Sequence, residues 1–119
     1  MNGSAPRLLE VVPWVDRLRA GRLRPPVGLI RNDVRSLPEL AHLLAPNPKS
    51  LPGVDLAAAA TWVETVIGDG ELACLVREEA AREGSYVERC LRVHAVVARR
   101  VEEARRDAGE TEPPPEEEV

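Results

Sequence analysis

The stretch "SYVERCLRVHAVVARRVEEARR", residues 85–106, constrains the fold of this chain more than any other. Val87, Cys90, Leu91, His94, Val97, Ala98 and Val101 recur at steps of three and four, which is the spacing of one buried helical face. Ser85 with Glu88 supplies a capping box at the start of the run. A helix over these residues is about 33 Å long, so the remainder of a 119-residue chain has to pack along it. The apolar inventory points the same way. There is no Phe, one Tyr and two Trp, and the rest is dominated by Ala, Leu and Val, a set that forms helices and lacks the aromatic and β-branched mixture of strands.

Four further helices are expected upstream. In "SAPRLLEVVPWVDRLRAG", Ser4 can cap, Pro6 suits a first turn, and Leu8, Val11, Val12, Val15 and Leu18 keep helical spacing up to Gly21. Pro13 implies a kink in this helix or a start at that point. "RLRPPVGLIRNDVR" reads as an extended connection, because Pro25, Pro26 and Gly28 exclude a helix. "SLPELAHLLA" carries a capping box of Ser36 and Glu39 with Pro38 in the first turn. Asp55 caps "LAAAATWVETVI", "GDG" breaks it, and "ELACLVREEAARE" makes one more helix ended by Gly84. The predicted architecture is therefore all-α: a compact bundle of about five helices with a long C-terminal one. Residues 1–5 read as a disordered N-terminus, 6–107 as a single helical domain, and 108–119, "AGETEPPPEEEV", as a disordered acidic tail rich in Pro and Glu.

The formal charge of −4 is unevenly spread. Residues 1–50 hold eight basic side chains against four acidic, and residues 51–119 hold eight against sixteen. A chain split in this way can pair head to tail with itself or offer its basic half to an anionic partner. Two cysteines are too few for a disulfide framework, no apolar leader precedes a cleavage site, and no apolar run approaches the ~18 residues of a membrane span. A cytoplasmic protein without membrane contact is expected.

Within the long helix, Cys90 and His94 lie one turn apart on the same face and could share a metal ion, with Cys74 and His42 completing a Cys₂His₂ set. None of the close Cys or His pairs of common zinc modules is present, so a core thiol beside a hydrogen-bonded or interface histidine is the favoured reading, with no metal and no cofactor. Arg89 and His94, separated by four residues, resemble the signature of the HEPN-type ribonucleases, small helical dimers that carry this motif near the C-terminal end of the domain. That resemblance implies Arg89 and His94 as catalytic residues. On a continuous helix, however, the two side chains stand some 140° apart, and Cys90 follows Arg89 where the family usually has a polar residue. Near the middle of the chain, "SLPGVDLAAAA" resembles the turn of helix-hairpin-helix DNA-binding motifs, with Asp55 where a second Gly belongs. Asp55 is read here as a helix cap.

The strongest binding candidate is the basic segment Arg17, Arg19, Arg22, Arg24, Arg31 and Arg35, six arginines in nineteen residues, with Trp14 just ahead of it. Such a segment suits nucleic acid or an acidic protein surface, and Arg and Trp are both enriched at protein interfaces. The leading expectation is a small non-enzymatic helical interaction protein: an accessory subunit, adaptor or regulator that contacts a protein partner or forms a homodimer. Nucleic-acid binding through Arg17 to Arg35 is the alternative, and a HEPN-like ribonuclease using Arg89 and His94 the second.

Overall fold

The fold was obtained as a computed structural model that describes residues 6–47 and 49–109. The disordered N-terminus expected at 1–5 and most of the acidic tail, 110–119, lie outside the described residues. The chain is not an all-α bundle of five helices. Four helices pack with a three-stranded antiparallel sheet, and the two departures from the expected pattern have physical causes.

The first is the N-terminal segment, which forms no helix beyond a 3₁₀ turn at Trp14–Asp16. Pro13 has no N–H to give to a helical ladder, and its neighbours find partners elsewhere. The Val12 N–H donates to the Arg35 carbonyl at 2.7 Å, and Leu18 and Val34 exchange both backbone hydrogen bonds at 2.8 Å. Val12 and Leu18 are consequently buried as members of an extended segment. The Trp62 indole N–H donates to the Asp16 carbonyl at 2.7 Å and pins this segment to the helical layer.

The second is the stretch read as a connection, which is a β-hairpin. Strands β1 (Gly21–Arg24) and β2 (Gly28–Arg31) pair in the register Gly21 to Arg31 and Arg24 to Gly28, with Pro25, Pro26 and Val27 in the turn. Gly28, at φ 100°, closes the turn in a conformation that favours glycine. The loop after the first helix adds strand β3 (Leu51–Gly53) on the other side of β1, giving the order β2-β1-β3.

The helices start where their caps direct. In α1 (Leu37–Leu44), the Ser36 hydroxyl accepts from the Glu39 N–H, while the Glu39 carboxylate reaches one residue further back than a capping box would and accepts from the Arg35 N–H. Asp55 caps α2 (Leu56–Trp62) by accepting from the N–H groups of Ala57 and Ala58. A π-helical turn over Val63–Ile67 continues α2 and ends at Gly68, φ 90°. Asp69 then caps α3 (Gly70–Ala81), and the reciprocal Ser85 and Glu88 box opens α4 (Tyr86–Ala108).

Helix α4 runs between α1 and α3, with α2 packed on α3 and its small residues Ala59 and Ala60 buried. Cys90, Val93, Val97, Val101 and Ala104 form its buried face. This is a rotation from the expected stripe. A helix clamped on two sides buries the line between its neighbours, so Val93 moves into the core, whereas Val87 and Leu91 are left exposed and His94 is only partly covered. The core is completed by Leu37, Leu40, Leu43 and Leu44 of α1 and by Leu72, Ala73 and Val76 of α3.

Candidate interaction surface

Most of the basic segment is spoken for within the chain. The Asp33 carboxylate, its side chain 4% exposed, accepts from the Arg31 guanidinium at 2.7 Å, from Arg17 Nε at 2.8 Å and from the Ala20 N–H at 3.1 Å. The Arg31 hydrogen bond is the largest influence holding this carboxyl well below the usual carboxylate range, against the opposing effect of its burial. Arg17 also stacks on the Trp14 ring, 4.1 Å from its centroid, and Arg35 stands 6.0 Å from the same ring while donating to the Val12 carbonyl. Arg22 donates to the His42 carbonyl at the side of α1. Arg19 and Arg24 are exposed. The segment is thus a hairpin tied down by its own arginines, with Trp14 and its neighbours Val11 and Val15 exposed beside it.

The candidates of α4 are held by different elements. His94 Nδ1 lies 2.9 Å from the Ala41 carbonyl of α1. Arg89 Nε donates to the Arg82 carbonyl at the end of α3. Cys90 is buried, which pushes its thiol pKa up, and the neighbouring Tyr86 hydroxyl partly offsets this. Cys74 is exposed on α3 and His42 is exposed on α1. Among the described residues no three His, Cys, Asp or Glu side chains come together as a metal site. The Tyr86 hydroxyl acts as a structural tie. It donates to the Pro52 carbonyl at 2.6 Å and accepts from the Val54 N–H at 3.1 Å, fastening the end of β3 to the start of α4. Desolvation pushes its pKa up to about 12.

A surface not anticipated from the sequence lies on the sheet. Side chains alternate across a strand, and the register places Leu29, Leu23 and Leu51 in one row across β2, β1 and β3. All three are exposed, at 56%, 37% and 39%. On the opposite face Pro52 is buried and Arg22 reaches α1, while Ile30 remains 40% exposed. Leu29 lies over Gly21 and Gly53, where an added Cβ would meet its Cδ1 at 2.9 and 2.7 Å. The ladder alternation fixed by the Asn32 N–H to Ala20 carbonyl bond turns the N–H and C=O groups of Leu29 and Arg31 outward along an edge that pairs with no strand among the described residues.

No family model, curated protein or solved structure matches the chain. Its chemistry has to be read from the surface alone. The leucine row runs through Leu51 into a groove of about 360 Å³, walled by Leu44, Pro46, Pro52, Val87 and Leu91. A second groove of about 460 Å³ adjoins it, shares Asn47, Ser50 and Leu51, and is lined by Arg24 and Lys49. Among the described residues no carboxylate lines either groove. The sequence did carry one signal for this surface. "RLRPPVGLIR" is two short apolar and basic runs around a Pro and Gly turn, the pattern of a hairpin.

Proposed function

We propose that this protein works through protein–protein contacts as a non-enzymatic accessory subunit, adaptor or regulator, with the outer face of the sheet as its contact surface. One observation carries the reading: three leucines from three strands form an exposed apolar row that continues into an apolar groove. Contiguous exposed apolar surface of this kind marks interaction sites, and the outer β2 edge, unpaired among the described residues, adds backbone groups to which a partner strand could bond. The engagement of Arg17, Arg22, Arg31 and Arg35 within the chain favours this reading over nucleic-acid binding. No helix among the described residues is long and apolar enough to cross a membrane. The two free thiols, Cys74 and Cys90, suit the cytoplasm, which we take as the place of action.

Affinity purification of the tagged chain from its native cells, alongside Leu29→Glu and the exposed α3 variant Glu71→Lys, tests the proposal. Leu29→Glu is expected to lower recovery of the specific partners by about tenfold or more, as loss of a central apolar anchor does, and Glu71→Lys to leave it unchanged. Equal recovery by Leu29→Glu and the wild type, with both folded by circular dichroism, would refute it.

A further inference from the structure

We propose that the two adjoining grooves receive residues 110–119 of a second copy of this chain. The proposal rests on the protein-contact reading above and names the partner for its groove end.

The grooves have two chemistries side by side. One is apolar, with Leu44, Pro46, Pro52, Val87 and Leu91 as walls, and the other is basic, with Arg24 and Lys49 at its margin. They meet at Leu51. The C-terminal segment "ETEPPPEEEV" has the complementary pair of blocks in direct succession: Pro113, Pro114 and Pro115, then Glu116, Glu117 and Glu118. A triproline run prefers the extended polyproline conformation, so little chain freedom is lost when it lies in a groove. The glutamates that follow would come beside Arg24 and Lys49, which no described carboxylate in the groove neutralises.

Length selects the second copy over the chain's own tail. Leu91 is the groove residue nearest the C-terminal end of α4, and it precedes Ala108 by seventeen residues. On a helix that is about 25 Å. Pro113 to Pro115 follow Gly109 by only four to six residues, at most about 20 Å of extended chain. The triproline block therefore falls short of Leu91 in its own chain and can fill the apolar groove of a neighbour. Reciprocal exchange between two copies closes a two-fold dimer, whereas one-way insertion would build an open chain.

Charge inversion on the full-length chain tests this by light scattering after size exclusion. The wild type is expected to form a dimer at low ionic strength that weakens by about tenfold or more between about 50 and 500 mM salt, because exposed ion pairs are screened. The tail variant Glu116→Lys, Glu117→Lys, Glu118→Lys and the groove variant Arg24→Glu, Lys49→Glu are each expected to be monomeric, and their combination to restore the dimer. A wild-type monomer at low salt would overturn the proposal, as would a dimer that neither variant disturbs. The protein-contact reading fails separately. If the wild type is monomeric yet captures a partner that Leu29→Glu loses, only the tail exchange is wrong, and if nothing is captured either, both are.

Discussion

Asp33 turns a stretch of arginines into a folded hairpin. Its carboxylate gathers Arg31 and Arg17 and takes the Ala20 N–H, so two of the six cations of the segment are paired with one nearly buried group. Replacing it by Asn keeps an acceptor for Ala20 but leaves both guanidinium groups without a counter-charge. Loss of one partner of a fully buried pair costs about 3–5 kcal/mol. Arg31 is 61% exposed, and solvent screening brings the loss for Asp33→Asn well below that of a buried pair. The pH dependence has a definite sign. A carboxyl held below its unfolded value of about 3.9 stabilises the fold fully above that pH and loses the contribution as the pH falls below it. Denaturant unfolding of wild type and Asp33→Asn should differ most near neutrality and converge under acid, and a constant difference from pH 7 to pH 3 would contradict the role assigned to Asp33. As letters Asp33 is one of two acidic residues among the arginines, and its pairing with Arg17, sixteen residues away, arises only once the hairpin forms.

Elements differ in how far their sequences disclose them. The caps Ser36, Asp55 and Ser85 were legible because capping is local: a side chain bonds a backbone group two or three residues on. The strands were far less legible, with only the Pro and Gly turn between β1 and β2 as a signal. "GRLR", "GLIR" and "LPG" are short and rich in Gly, Arg and Pro, and β3 pairs with β1 across some thirty residues. A helical period in residues 8–18 was real in the letters but lost to Pro13 and to the backbone bonds that Val12 and Leu18 make with the segment after β2. The face of α4 was legible to within one position, since periodicity locates a stripe but not the two helices that flank it. The capping box of α4 is open to direct trial. Ser85→Ala removes the acceptor of the Glu88 N–H and should cost about 1 kcal/mol, a fall in melting temperature of about 4 °C. No change in the melting curve would show that the start of α4 is held by its tertiary contacts, chiefly Tyr86 on Pro52 and Val54, and not by its cap.

At the scale of the molecule, a helical layer with a well-filled core carries a small sheet whose leucine row faces outward. The core itself asks for no partner: α1 and α3 sandwich α4 with valine and leucine side chains that solvent does not reach. Exposed apolar surface occurs at Val11, Trp14 and Val15 as well, but on the outer side of the sheet and in the groove between β3 and α4 it comes together with a strand edge and basic side chains. The charge asymmetry seen in the sequence acquires a location here, since Arg24 and Lys49 come from the basic half of the chain and the acidic excess lies in the other. The pairs that looked chemical in one dimension, Arg89 with His94 and Cys90 with His94, are each divided among separate roles in packing and bonding. The most direct measurement of the central claim is photo-crosslinking in the native cell, with a photoreactive amino acid in place of Leu29 and, as control, in place of Glu71 on the exposed side of α3. Discrete protein adducts from position 29 and none from position 71 are expected if the outer face of the sheet is the contact surface. The absence of adducts at position 29, or adducts of equal yield at both positions, would contradict it.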